Sequence, residues 1–297
     1  MPRFSIVLVV DENYQVYSLQ SILDQSAENY EIIIVDVSNT DKCKKEIQSL
    51  LKKCKGKGKY IHKRCMKFPI ARNEGVKRAK GEYIIFLNQH SSIEKNLLKT
   101  LEKKLKDSPD IIRFQMKVIG TNGVRMYREL PFETVSGVKA FSKIKKYYCM
   151  NTLECYAYKK ELWIKYWPSI FKEAEIEYFA FIPFLILQAM KVKSLGYIGY
   201  VVHSDEIEHT NLKNFNGYQQ FEKYVRHINA KHMELLQVYI AKTMIKNSIL
   251  LKSKEYRKYV AELNAYDIFK YIDSPWYKKF IMKKSPKMYY KISKGEQ

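Results

Sequence analysis

The 297-residue chain lacks any Cys-x-x-Cys pair and any cysteine–histidine spacing that would suit zinc. Its five cysteines, Cys43, Cys54, Cys65, Cys149 and Cys155, are odd in number and scattered. That speaks against a disulfide framework and for reduced thiols in a cytoplasmic protein. Long apolar runs are missing too. The longest uncharged one, Tyr178–Met190, is too short to span a bilayer and contains Pro183. The strand-like stretch Phe4–Val10, just after Met1, is too short and poorly flanked for a signal peptide. No internal repeat, low-complexity linker, helix-turn-helix, RRM or zinc signature is present, so nucleic acid is not an expected partner. Acids are scarce: 31 against 53 Lys and Arg, a formal net charge of +22. Such a surface attracts phosphate-bearing or anionic partners, although lysine spread evenly over every face gives the same total.

What is present is a sizeable core. Hydrophobic residues make up 46% of the chain, which excludes global disorder. "FSIVLVV" (4–10), "YEIIIVD" (30–36) and "EYIIFL" (82–87) are continuous apolar runs of the kind buried parallel strands show. "KYIHKR" (59–64) predicts a short further strand. Between them lie amphipathic segments. Val16, Leu19, Ile22 and Leu23 recur at helical spacing, "KKEIQSLLKKC" (44–54) is a lysine-rich helix, and "PIARNEGVKRAKG" (69–81) reads as a helix with Pro69 near its start and Gly81 at its end. Strand and helix alternate through the first 90 residues, which predicts an α/β fold built of right-handed βαβ units. Ligands of such sheets bind at the carboxyl ends of strands, here the loops after Val10, Val35 and Leu87. Further on, "DIIRFQMKVI" and "VRMYREL" predict strands around the turn "GTNG", "FSKIKKYY" and "KKELWIKYW" predict helices, "EYFAFIPFLILQAMK" predicts a buried helix, and "VKSLGYIGYVVHS" is β-like. From Asn211 the pattern is helical. This predicts a domain over residues 1–210 and a helical, basic extension over 211–297.

Four stretches in order carry a resemblance. They are "FSIVLVV" followed by "LQSILDQSAENYEIIIVDVSNTD", then "ARNEGVKRAKGEYIIFL", "NQHS" immediately after it, and "FKEAEIEYFAFIPFLILQAMKVKSLGYIGYVVHS". Together they resemble glycosyltransferase family 2, over residues 4 to about 210. The second stretch is the most specific, matching A-R-N-x-G-x-x-x-A-x-G-E-Y-[IL]-x-F-L. The resemblance implies a GT-A (Rossmann-like) fold: a mixed, mainly parallel sheet flanked by helices. It implies a nucleotide-sugar donor, a glycan or lipid-linked acceptor, and a place in surface polysaccharide or glycoconjugate synthesis.

The chemistry implied is displacement of a nucleoside diphosphate from a sugar's anomeric carbon, which needs positive charge at the leaving group and a base at the acceptor hydroxyl. The family's acidic metal-binding D-x-D motif is replaced here by Asn88, Gln89, His90 and Ser91. Amides are poor ligands for a hard dication, so a tight Mg²⁺ or Mn²⁺ site is not expected there and no metal residue is assigned. The family's Glu-Asp pair reads Glu177-Tyr178, which leaves Glu177 as the candidate catalytic base; an ordinary surface glutamate is the competing reading. For the nucleotide sugar the resemblance points to Asp11, Asp36, Arg72, Asn73, Asn88 and His90. Each has a plainer alternative: Asp36 as the cap of a turn with Ser38 and Thr40, Arg72 as a structural ion pair, and 88–91 as an unconstrained loop. The joint loss of acids leaves a second class open, a catalytically silent module that binds a glycan, a nucleotide or a partner glycosyltransferase.

Residues 276–297 hold seven lysines, one acid and five aromatics. That mixture suits contact with an anionic membrane surface, and the expected location is cytoplasmic and peripheral at the inner face of the membrane. A solvated lysine-rich helix packed by its aromatics is the alternative. Homo- or hetero-oligomerisation stays open.

Overall fold

Strands β1 (Phe4–Val10), β2 (Tyr30–Asp36), β3 (Gly58–His62) and β4 (Tyr83–Asn88) run parallel in the order β3-β2-β1-β4 in a computed structural model of the chain. It describes residues 1–54, 56–144, 152–166, 178–204, 221–223, 225–227, 232–248 and 253–288. Every residue of β1 and β2 is buried, as their unbroken apolar runs require of strands covered on both faces. The sheet continues through β9 (Tyr156–Lys159), β6 (Ile111–Gly120), β10 (Val192–His203) and β5 (Ser91–Ile93). β9 is antiparallel to both β4 and β6, whereas β6 and β10 are parallel to each other. Two side strands complete it: β7 (Gly123–Tyr127) on β6, and β8 (Phe132–Val135) on β10. The result is the expected mixed, mainly parallel sheet.

Three strands escape the sequence pattern. β5, β8 and β9 have three or four residues each, too few to show a period. The strand predicted to run through "VRMYREL" stops at Tyr127.

The helices flanking the first sheet half are α1 (Val16–Leu23), α2 (Lys44–Lys52) and α3 (Phe68–Arg78). Leu19 and Ile22 of α1 are fully buried, but Val16, expected on the same face, is exposed at the helix start. α3 begins with Pro69 in its first turn, where the missing amide costs nothing. It ends at Arg78, so Gly81 is not its cap. Gly81 is needed for another reason: a Cβ there would sit 2.6 Å from the Ser5 amide nitrogen. At Gly75 a Cβ would come within 2.4 Å of a Val7 methyl. The two glycines of the "ARNEGVKRAKGEY" stretch therefore mark where α3 and its exit press on β1. Glu31 pins the same corner. Its buried carboxylate accepts from Ser5 Oγ (2.7 Å), Lys59 Nζ (2.9 Å) and the amides of Lys80 and Gly81.

Further along come α4 (Leu97–Glu102), α5 (Gly137–Lys143), α6 (Lys160–Tyr166) and α7 (Tyr178–Gln188), which holds Pro183 inside it. The chain divides into two compact units. One comprises Met1–Glu175 with Leu185–His209, and the other Ile176–Phe184 with Thr210–Gln297. In the second unit α8 (Met233–Ser248), α9 (Ser253–Ala265) and α10 (Trp276–Lys284) surround a short 3-10 turn, Ile268–Tyr271. Leu236, Ile240, Met244, Leu263 and Phe269 form its core. Glu222 is its polar pin, accepting from Arg226 (2.8 Å), Gln237 (3.0 Å) and Tyr271 (2.7 Å).

Candidate functional site

The strand register places the candidate residues side by side. Val10 is level with Asp36, and Val9 with Asn88, so the ends of β2, β1 and β4 form one row with Asp11 following at the centre. This is where ligands of open α/β sheets bind.

The loop after β4 is not unconstrained. Asn88 Oδ1 accepts from the His90 amide at 2.9 Å, a turn closed by its own side chain. Gln89 is buried and reaches across to Asp11. Its Oε1 accepts from the Asp11 amide, and its Nε2 donates to Asp11 Oδ1, both at 2.7 Å. The same Nε2 lies 3.3 Å from His90 Nε2. Asp11, Gln89 and His90 thus form one connected set, with the Asn13 amide also donating to Asp11 Oδ1. The sequence passed over Gln89 as a poor metal ligand; its amide serves instead as a reciprocal clamp between two loops.

Asp36 is placed as predicted at the strand end, but it is completely buried. Oδ1 accepts from the amide and hydroxyl of Ser38 (2.9 and 2.6 Å), and Oδ2 from the Tyr60 hydroxyl at 2.5 Å. The Ser38 hydroxyl is also 2.7 Å from the Thr40 carbonyl. Asp36 therefore caps the turn through Ser38, with Thr40 joined only by way of the Ser38 hydroxyl. Burial, with the Asp36 carboxylate adding to it, pushes the Tyr60 phenol well above its usual range.

Arg72 lies on α3 and is also buried. It faces Glu154 at 3.8 Å, on a 3-10 turn (Leu153–Cys155) that no motif announced. Tyr200 of β10, which feels the charges of this pair, donates to Ser91 Oγ at 2.8 Å just after the β4 loop. Burial raises the Tyr200 phenol far above its usual range and the Glu154 charge adds to that, while the Ser91 bond and Arg72 oppose it. Asn73 follows Arg72 on α3 and is half-buried. His203, at the end of β10, packs against Tyr17 with the rings tilted by 56° and centroids 4.6 Å apart, and shares a 2.8 Å hydrogen bond with Ser92. Burial lowers its pKa, and nearby Lys117 lowers it further. Glu177, the candidate base, lies outside the described residues.

The fold family implies a divalent metal at the β4 loop, and the residues there do not fit one. Asn88 and Gln89 have their oxygens committed to backbone amides, and the stretch 88–91 has no carboxylate. Among the described residues no three His, Cys, Asp or Glu side chains converge as a metal site would require.

Comparison with known proteins agrees with this architecture. A Haemophilus influenzae protein described as an uncharacterized glycosyltransferase is 30% identical over 146 residues, 48% of this chain and 55% of that protein. A Rickettsia bellii protein of the same description is 34% identical over 92 residues, which is 29% of this chain but 13% of the relative. The chain therefore spans a minor part of some relatives' length. Among solved structures, S. aureus TarS 1-349 in complex with UDP-GlcNAc superposes with a TM-score of 0.70 at 18% identity, covering 97% of this chain and 89% of that one. The same TarS fragment without ligand in its description gives 0.68 at 17% identity. At such identities the likeness is one of fold, and it identifies the GT-A architecture. The family profile described as Glycosyl transferase family 2 matches residues 10–167, more than half of the chain, and the chain belongs to that family.

Proposed function

We propose that the chain transfers a sugar from a nucleotide-sugar donor to a glycan or lipid-linked acceptor in surface polysaccharide or glycoconjugate synthesis, with weak or no dependence on a divalent metal. The observation that carries this is the row of Asp11, Asp36 and Asn88 at the adjoining ends of three parallel strands, with Gln89 joining two of their loops. The nucleoside lies against the Asp11 and Asp36 loops. His90 and Arg72, with Asn73 beside it, face the diphosphate. Arg72 is partly offset by Glu154, so the positive charge offered to the leaving group is modest. Glu177 takes the proton of the acceptor hydroxyl, whose oxygen forms the new bond to the anomeric carbon as the diphosphate leaves with the old bonding pair.

One observation favours the silent-module reading instead. Both oxygens of Asp36 are already hydrogen-bonded within the protein, and a ligand would have to displace Ser38 or Tyr60 to reach them. The test begins with thermal-shift screening against UDP, GDP, CDP and CMP sugars, with and without Mn²⁺. UDP-GlcNAc, present in the TarS complex, is the first to try. Turnover by the wild type, Glu177→Gln and His90→Ala follows. Loss of a base should lower the rate about 10²–10⁴-fold while donor binding persists. Donor binding without transfer or hydrolysis over a broad acceptor panel would favour the silent module.

A further inference from the structure

Helix α10 (Trp276–Lys284) is not packed by its aromatics, the alternative that the sequence left open. Its aromatic residues face outward: Trp276 is 80% exposed, Phe280 59% and Tyr277 49%, while Met282 is fully buried against the second unit. With 3.6 residues per turn, Trp276, Tyr277, Phe280, Lys283 and Lys284 share an arc of about 120°, and Met282 lies on the opposite side. Lys284 reaches back over the Phe280 ring (5.9 Å), and Met288, just beyond the helix, is 56% exposed. Solvent therefore meets an apolar aromatic surface edged by ammonium groups. Between Ser274 and Met288 stand five lysines, 278, 279, 283, 284 and 287, and no acid.

We infer that this arc of α10 is a docking surface for an anionic lipid bilayer. Three arguments select that occupant. Tryptophan and tyrosine are the side chains that settle at the headgroup boundary, an apolar body below and a polar edge in water. Lysines on the rim reach up to anionic headgroups while their stems stay with the rings. A second copy of the chain is disfavoured, because its own arc and its formal charge of +22 would meet the same charges. Among the described residues no helix is long and apolar enough to cross a membrane, so contact is through the interface plane. The inference rests on the proposed function only in that it brings the chain to a lipid-linked acceptor; the docking itself is independent of sugar transfer.

The test is sedimentation of the full-length protein with phosphatidylcholine vesicles, with and without phosphatidylglycerol. Binding to the anionic vesicles should fall steeply with added salt. Trp276→Ala with Phe280→Ala should weaken it at least about tenfold, and Lys283→Glu with Lys284→Glu similarly. Both variants should keep the wild-type circular dichroism, and the alanine variant its melting temperature, since its side chains are exposed; Lys283 pairs with Asp267 at 3.6 Å, so Lys284→Glu alone is the control for any loss of stability in the glutamate variant. Brominated lipid should quench tryptophan emission in the wild type and far less in Trp276→Phe, which retains the apolar ring. Failure to sediment with anionic vesicles at low salt would overturn the inference. So would wild-type binding by the double alanine variant, quenching unchanged in Trp276→Phe, or a dimer or nucleic-acid complex that the same substitutions abolish while vesicle binding stays intact. Sugar transfer, assayed separately with a soluble acceptor, should be unchanged in the α10 variants.

Discussion

Gln89 and Asp11 grip each other through two reciprocal 2.7 Å hydrogen bonds, backbone amide to side-chain oxygen and side-chain amide to carboxylate. The pair ties the loop after β1 to the loop after β4, the two segments between which a donor diphosphate would lie. Gln89→Ala removes both bonds from the half-buried Asp11, whose Oδ1 keeps the Asn13 amide, and should cost about 0.5–1.5 kcal/mol of stability. Donor binding should weaken as well, because the loops lose their shared reference. Urea unfolding and donor titration would check both; an unchanged midpoint and affinity would show that the clamp holds nothing.

Tyr60→Phe removes a single oxygen, the one that donates to Asp36 Oδ2. A buried carboxylate oxygen without its donor should destabilise the chain by about 1–3 kcal/mol. If the melting temperature does not fall, Oδ2 is served by another group and Asp36 is freer to meet a nucleotide than its contacts indicate.

Arg72 and Glu154 are 8% and 12% exposed in their side chains. Arg72→Ala takes a countercharge away from a nearly buried carboxylate and should lower stability by about 1–3 kcal/mol, whereas Arg72→Met with Glu154→Leu should recover much of that loss. Chemical denaturation of the two variants separates an ion pair kept for structure from an arginine kept for the diphosphate. Recovery of stability without recovery of donor binding would assign Arg72 to the ligand.

The Glu31 carboxylate is buried, which alone would raise its pKa, yet the bonds from Lys59, the Lys80 amide and Ser5 outweigh this and leave it below the usual 4.5. A lowered folded pKa stabilises the fold fully above the unfolded value, and the contribution fades as pH falls from there through the folded value. Stability should therefore decline on acidification below about pH 4.5, with Glu31→Gln less stable at neutral pH and showing a shallower acid limb. Identical acid limbs for wild type and variant would remove Glu31 from the account.

Any transfer activity should survive EDTA, because the amides at 88 and 89 are already spoken for by backbone groups. Calorimetry with Mn²⁺ is the direct check. Tight binding that His90→Ala abolishes would mean that the loop rearranges to make a metal site.

The frame of this molecule was readable from sequence because each buried parallel strand shows itself as an unbroken apolar run, and because Gly75 and Gly81 are fixed by close approach to β1. Asp36, Asp11 and Asn88 could be placed on one row for the same reason: strand ends follow from strand positions. What those side chains do could not be read. Whether Asp36 faces a ligand or Ser38 and Tyr60 depends on rotamers and on a partner from another strand. Glu154 and Tyr200 were invisible, since Glu154 sits on a three-residue turn and Tyr200 within a long strand, and they meet only in three dimensions. The outward face of α10 was equally hidden: composition marked the segment, but only the burial of Met282 says which side is free.

The position of β9 has a consequence for synthesis on the ribosome. β4 pairs with β1 on one side and with β9 on the other, and β9 begins only at Tyr156. The nascent chain completes β1 to β4 early and then carries β4 as an open edge while roughly 70 more residues are added, on the order of 4–14 s at usual elongation rates. An open apolar edge is a template for aggregation. Chains truncated between β4 and β9 should be captured by chaperones or precipitate, and the exposure ends only when β10 (Val192–His203) closes the far edge of β6, so the hazard of making this protein is concentrated between β4 and β10.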